Sequence, residues 1–320
     1  MAKNKHHIWV VSDGSKGMET QSLGLAEALT ATPRLIRLTP PKLTRHLPSL
    51  ARLPVLPLPR TIKQSLAKYG IPDIVITCGR RHAGVSLLMR RVGAKTIHIQ
   101  NAKLPPKWFD VVVVPSHDRL RGENVLVTLG SLNRLGKLLA TPPKPSPIPP
   151  ASHLPRPFIA VLIGGSNRRY QVLPRDYSRF AYHLAAVAAT TGVGLALIPS
   201  PRSLDSVKTA MAPPLTATRH WWWEGKTPNP YPWIVRASAA IIVTADSVNM
   251  TSEACTMGKA VYVAELKPET GRVALFQRIM QQGGYTRPLT HLTPHNWQDP
   301  PKTRLDETAR IATRIEAMLL

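Results

Sequence analysis

The stretch AIIVTADSVNMTSEACTMGKAVYV, Ala240 to Val263, reads as strand, polar loop, short helix and second strand. Ala240–Val243 is an apolar run of strand length, and Gly258–Lys259 ends the helix before the strand Val261–Val263. Asp246, Ser247, Asn249, Thr251, Ser252 and Glu253 crowd the segment between them. A polar loop at the carboxyl end of a parallel strand is where open α/β sheets bind ligands. The unit therefore predicts both a fold class and a place to look for function.

Working outward, strand-like and helix-like segments alternate along the chain. Strands are expected at Ile8–Val11, Leu35–Leu38, Asp73–Thr77, Thr96–Ile99, Val111–Val114 and Val125–Thr128, with helices near Gln21–Leu29, Ile62–Tyr69 and Ala83–Val92. Thr141–Pro157 holds eight prolines. Proline fixes φ and lacks an N–H, so this stretch reads as a stiff linker. The alternation restarts with a strand at Phe158–Ile163, a helix at Asp176–Thr190 and a strand at Gly194–Ile198, and helices follow near Val273–Gln281 and Leu305–Leu320. The expectation is α/β, with two Rossmann-like α/β/α domains: 1–140, a linker at 141–157, and 158–320, whose last helix can pack back on the first domain.

The 320 residues carry 42 Lys+Arg against 18 Asp+Glu, a net charge of +24. Residues 1–150 hold 23 basic and 7 acidic residues, so the excess lies mostly in the first half. Such a balance suits an anionic partner, whether an acidic membrane surface or a phosphorylated substrate, or else solvated arginines. No nucleic-acid-binding motif accompanies it, so no nucleic acid is expected. Two distant cysteines, Cys78 and Cys255, make no disulfide framework and point to a reducing, cytoplasmic setting. No apolar run has the length of a membrane span. Leu43–Arg60, apolar and basic but rich in proline, is expected as an ordered loop packed on the first domain, or as a surface resting on anionic headgroups.

Three loops carry chemistry. In Val10–Leu29, Ser12, Asp13, Gly14, Lys16, Gly17 and Glu19 lie between a strand and a helix whose first N–H groups suit an anion. The spacing is neither a P-loop nor a dinucleotide fingerprint. In VLIGGSNRRY, Val161–Tyr170, the glycines Gly164 and Gly165 allow backbone amides to approach a phosphate, Ser166 and Asn167 can donate, and Arg168 adds charge. In the third loop, with Thr244, Asp246, Ser247, Met250 and Ser252, Glu253 is expected in the first turn of its helix. There it either complements the helix dipole or holds a ribose diol. No metal motif is present: His291 and His295 are four apart, but Pro294 breaks a helical face, and neither HExxH nor paired CxxC occurs. The Trp221–Trp223 cluster reads as packing, with sugar stacking as the alternative.

Together SDGSKGMETQSLGLAEAL, TCGRRHA (Thr77–Ala83), IQNAKLP (Ile99–Pro105), VLIGGSN, TPNPY (Thr227–Tyr231) and TADSVNMTSEACTMGKAVYV resemble the mitochondrial fission ELM (elongated mitochondria) family, whose bacterial members are described as candidate glycosyltransferases. That family looks like the GT-B nucleotide-sugar glycosyltransferases, which implies two Rossmann-like domains with an interdomain cleft. The resemblance puts the donor diphosphate on Gly164–Ser166 and the donor ribose on Glu253. It implies a general base in the N-terminal loop, where the family-like enzymes can carry a His. Glu19 stands closest to that position here, with Asp13 and His82 as the other candidates.

On this reading the protein transfers a sugar, metal-independently and without a cofactor, from a nucleoside-diphosphate sugar to a lipid-linked or cell-envelope glycan. A UDP-sugar is the first candidate donor. Its place would be the cytoplasm, or the cytoplasmic face of the inner membrane through the basic N-terminal domain. The alternative implied by the family is a peripheral-membrane adaptor that keeps the fold without catalysis. Gly165, Ser166 and Glu253, all present, favour retained nucleotide binding.

Overall fold

The structure is a computed structural model that describes residues 6–29, 32–53, 56–141, 156–166, 171–200, 204–225, 229–268 and 270–320. Most of the proline-rich stretch, residues 142–155, lies outside the described residues, as do Asn167 and Arg168. The chain divides into two compact units, Met1–Lys137 with Asp306–Leu320, and Leu138–Leu305.

In the first unit the strands are β1 (Ile8–Ser12), β2 (Arg34–Arg37), β3 (Ile74–Cys78), β4 (Lys95–Ile99), β5 (Val111–Pro115) and β6 (Val125–Thr128). They form one parallel sheet in the order β2-β1-β3-β4-β5-β6. Both β1 and β3 are buried along their whole length, which is why they read as continuous apolar runs rather than alternating ones. The covering helices include α1 (Lys16–Ala28), α2 (Lys42–His46), α3 (Arg60–Tyr69) and α4 (Ala83–Arg91), and α5 (Leu135–Ala140) runs across the boundary after Lys137. The segment expected as a loop at Leu43–Arg60 instead contains α2 and a 3-10 turn, Pro48–Arg52, which packs on α4. Proline at the first position of a helical turn costs no hydrogen bond, so a proline-rich stretch can still hold short helical pieces.

The second unit has β7 (Phe158–Ile163), β8 (Gly194–Pro199), β9 (His220–Trp222), β10 (Ala240–Thr244), β11 (Ala260–Ala264) and β12 (Arg287–Pro288). Its parallel order is β12-β11-β10-β7-β8-β9. Counted from β7, that is 6-5-4-1-2-3, the doubly wound arrangement of dinucleotide-binding sheets. Its helices include α6 (Pro174–Thr191), α7 (Leu204–Leu215), α8 (Tyr231–Ala237), α9 (Val248–Thr256) and α10 (Gly271–Gln282). The Trp cluster thus supplies an edge strand and its exit, with Trp223 buried.

The last helix, α11 (Glu307–Leu319), belongs to the first unit. Ile311, Ala312 and Ile315 enter the core beneath Leu25, Ile76 and Ile97. Glu307 Oε2 accepts from the Leu129 amide at 2.7 Å, and Thr308 Oγ1 both accepts from the Asn133 amide and donates to its carbonyl, at 2.9 and 3.0 Å. Among the described residues, no helix is long and apolar enough to cross a membrane.

Gly24 of α1 packs directly on the Asn133 carbonyl that Thr308 holds in place. A Cβ there would lie 2.4 Å from that oxygen. Alanine ordinarily improves a helix by about 1 kcal/mol, whereas forcing apart a fixed backbone contact costs about 1–3 kcal/mol. Gly24→Ala is therefore expected to lower the urea unfolding midpoint. Gly24→Ala combined with Thr308→Ala, which releases the carbonyl, should recover part of the clash-dependent loss relative to Thr308→Ala alone.

Candidate functional site

In an open α/β sheet the crevice for ligand opens where neighbouring strands send their connections to opposite sides. In the second sheet that point lies between β7 and β10, the strands that lead into Gly164–Ser166 and into Thr244–Ser247. One hydrogen bond joins the two loops directly, and two more fix its ends. The Gly164 amide donates to Thr244 Oγ1 at 2.7 Å, and the Thr244 hydroxyl donates to Asp246 Oδ1 at 2.6 Å. The Gly164 carbonyl accepts from the Tyr177 hydroxyl at 3.1 Å.

This arrangement corrects one expectation. The Gly164 amide is committed to Thr244, so it does not approach a phosphate. The glycine is required for another reason: a Cβ would sit 2.1 Å from both carboxylate oxygens of Asp246. The Ser166 hydroxyl is also engaged, accepting from the Val172 amide at 2.9 Å and contacting its carbonyl at 3.3 Å. That closes the loop ahead of α6. Of the expected phosphate contacts, Gly165 is buried beside these groups.

The α9 helix begins earlier than its sequence suggests. Ser247 is its N-cap, and the Ser247 hydroxyl accepts from the Met250 amide at 3.3 Å. The loop after β10 is therefore short, and Asn249, Thr251, Ser252 and Glu253 all lie on the helix. Glu253 falls in the second turn rather than the first, so the dipole role loses its basis. Ser252 is buried and donates to the Val248 carbonyl at 2.7 Å, an intrahelical bond that removes it from the ribose role. Gln277 of α10 fastens the helix start, donating to the Ala245 carbonyl at 2.9 Å and to Thr251 Oγ1 at 3.2 Å.

Glu253 meets a partner 22 residues upstream. The Tyr231 hydroxyl donates to Glu253 Oε2 at 2.6 Å. Burial pushes the Glu253 carboxyl above the usual carboxylate range, and the hydrogen bond from Tyr231 offsets only part of that. Burial, then the neighbouring carboxylate, raises the Tyr231 phenol well above its ordinary value. Tyr231 opens α8, where its amide donates to Asn229 Oδ1 at 3.0 Å. Sequence reading included this tyrosine in the TPNPY motif but gave it no role. The Asn-Pro turn before an aromatic residue was the available signal.

The first sheet has its own switch point, between β1 and β3. There the loop after β1 carries Ser12, Asp13 and Gly14, and the turn after β3 carries His82. Ser12 Oγ accepts from the Gly14 amide at 3.0 Å, and Asp13 Oδ1 accepts from the Ser15 amide at 3.1 Å. Gly14 has a positive φ of 87°, whereas Gly17 is already helical in α1 beside the exposed Lys16. Burial alone would raise the Asp13 pKa, but hydrogen bonds from Ser15 and the fields of His82 and Arg81 outweigh it and keep the carboxyl below its usual range.

His82 is buried, with Nδ1 3.1 Å from the Cys78 carbonyl. That bond makes Nδ1 the protonated nitrogen and leaves the lone pair on Nε2. Burial lowers the His82 pKa, opposed chiefly by Asp13. Asp13 and His82 are thus brought together, but Glu19 is not part of the pair. Its carboxylate takes two bonds from Arg37, at 2.9 and 3.3 Å, and those hold its pKa down. A carboxylate so paired is a weak base.

Among the described residues, no three His, Cys, Asp or Glu side chains gather as a metal site. The arrangement defines a class: two doubly wound α/β units of GT-B type, each with polar loops at its switch point. Among solved structures, the UDP-GlcNAc 2-epimerase of Methanocaldococcus jannaschii aligns over 98% of this chain and 99% of its own, with a TM-score of 0.58 at 12% identity. The MurG of Acinetobacter baumannii aligns over 98% and 99%, with a TM-score of 0.51 at 13% identity. At such identities the likeness is one of fold. The chain belongs to the mitochondrial fission ELM1 family, whose profile matches residues 16–319. The mitochondrial fission protein ELM1 of Arabidopsis thaliana is 28% identical over 289 residues, 80% of this chain. This chain spans 66% of the plant protein's length.

Beside His82, His98 is fully buried, stacked on Phe109 at 4.9 Å with Nδ1 2.8 Å from Thr77 Oγ1. Burial, assisted by His82, pushes its pKa down to about 3. A free histidine in the unfolded chain takes its proton near 6.5, so between that pH and about 3 only the unfolded state gains it. Stability should therefore fall with acidification, by up to about 1.4 kcal/mol per pH unit from His98. Urea midpoints measured from pH 7 to 5 should show that loss, and His98→Asn, which keeps a partner for Thr77, should reduce the slope.

Proposed function

We propose that the second unit binds a nucleoside-diphosphate sugar, with a UDP-sugar as the first candidate. The protein would then act as a metal-independent glycosyltransferase on a lipid-linked or cell-envelope glycan. The observation that carries this reading is the Tyr231–Glu253 pair, on the helices that lead into and out of β10. Tyr231 occupies one carboxyl oxygen and orients the group, leaving Oε1 to take a ribose hydroxyl. The diphosphate would lie over Gly165 and Ser166, with Asn167 and Arg168 completing its contacts. Arg168 would offset the charge that develops on the departing nucleotide.

The acceptor belongs to the first unit on this reading. Asp13 is ionised and partly exposed, so it is the group we assign to receive the acceptor proton, with His82 behind it. A depressed pKa makes Asp13 a modest base. The same observation, with Glu19 held by Arg37, favours a second reading: a peripheral adaptor that binds nucleotide without turnover. The cytoplasmic face of the inner membrane is the proposed location for either.

Ligand that binds only the folded state stabilises it by about 2.7 kcal/mol at a concentration of one hundred times Kd. UDP and UDP-GlcNAc are thus expected to raise the melting temperature by several degrees. Tyr231→Phe should weaken the response, and Glu253→Gln or Glu253→Ala should abolish it, while their ligand-free circular dichroism remains native. A panel of nucleoside diphosphates that leaves the wild type unmoved at millimolar concentration would defeat the donor-site reading. Release of UDP from a UDP-sugar in the presence of envelope lipid, lost in Asp13→Asn, would separate the enzyme from the adaptor.

A further inference from the structure

A cavity lies in the first unit at the far end of its sheet. Because α4 runs back antiparallel to β3, its last turn reaches the amino-terminal edge of the sheet, away from Asp13 and His82. Arg90 and Arg91 occupy that turn. With Arg52, Lys107, Leu87 and Trp108 they line a cavity of about 540 Å³. Four of the six lining residues are cationic and none is acidic.

The arginines are set in place before any ligand arrives. Arg91 Nη1 donates to the Leu53 and Leu56 carbonyls at 2.9 and 3.1 Å. Arg90 donates to the Lys107 carbonyl at 3.2 Å and pairs with Asp110 at 3.3 Å. The Arg52 guanidinium lies over the Trp108 ring, 4.5 Å from its centroid. Cations in the last turn of a helix complement its dipole, which accounts for Arg90 and Arg91. It does not account for Arg52 and Lys107, which come from two other segments and have no carboxylate partner among the described residues. Asp110 offsets Arg90, but Arg52 and Lys107 add like charge to the same cavity, which an incoming anion would offset.

We infer that this cavity is a phosphate-binding site, taking a phosphate monoester or diphosphate group in the fork of its arginines. Planar guanidinium groups match phosphate oxygens in pairs, and preformed side-chain positions reduce the entropy lost on binding. The phosphate could come from a soluble ligand or from a lipid headgroup. Leu43, Leu47 and Leu53, exposed at 51%, 56% and 47%, lie on the strap that leads to Arg52 and supply apolar contact if it is a headgroup.

The test uses the full chain at low ionic strength with two probes. Pyrophosphate binding is measured by calorimetry, and co-flotation is measured with phosphatidylcholine vesicles with and without phosphatidic acid. Arg52→Ala/Lys107→Ala removes the two cations that hold no backbone. Arg278→Ala/Arg314→Ala removes two exposed cations elsewhere and controls for net charge. Losing two charge-assisted contacts should weaken binding by at least about tenfold in the first variant, with the control near wild type.

Binding of pyrophosphate alone would assign the site to a soluble phosphate, and binding of acidic vesicles alone would assign it to a headgroup. The inference is overturned if the wild type binds neither probe, or if the two double variants lose affinity equally. An unchanged ligand-free melting temperature shows that the pocket variant has folded. The UDP response, read separately, keeps this result independent of the donor site.

Discussion

The approach of the Asp246 carboxylate to the Gly164 backbone is the constraint on which the second unit's site depends. Two parallel strands, β7 and β10, end side by side at the switch point, and their loops must share a small space. Glycine lets the carboxylate in, and Thr244 lies between amide and carboxylate, accepting from one and donating to the other. Because the bridge is buried, water cannot replace it, and an unmade bond there would cost the full desolvation of its members. The loop after β10 is consequently short and rigid. That rigidity sets where α9 begins, and so where Glu253 falls opposite Tyr231.

The first unit uses its switch point differently. Its acidic groups are engaged, Asp13 by Ser15 and Glu19 by Arg37, while burial lowers the pKa of both His82 and His98. The second unit instead holds a carboxyl whose pKa is raised against a phenol whose pKa is raised further. One unit thus presents charged groups held by hydrogen bonds, and the other a buried hydrogen-bonded pair.

Much of the architecture was legible because parallel strands are buried on both faces. Runs such as IWVVS, IVITC and AIIVT announce themselves without any alternation, and all six strands of the first sheet could be placed. In the second sheet β9 and β12 could not, since HWW and RP are edge pieces too short to carry a pattern. Strand order was not legible either, because it depends on which strands pair and not on how each reads alone. The site followed the same division. The polar loops stood out locally, but three facts needed tertiary structure: the Gly164 amide is spoken for, Ser252 turns inward, and Arg37 holds Glu19. Each joins residues too distant, or a side chain too dependent on rotamer, for spacing to disclose.

The return of α11 to the first unit has a consequence for synthesis. The core around Leu25 and Ile76 lacks Ile311 and Ile315 until the second unit has been made, and the Asn133 carbonyl has no Thr308 to hold it. The second unit, by contrast, is continuous and can close its own core as soon as Leu305 has emerged. On the ribosome, the first unit is therefore completed only after the second, and its apolar surface must wait exposed or sheltered for the length of the other.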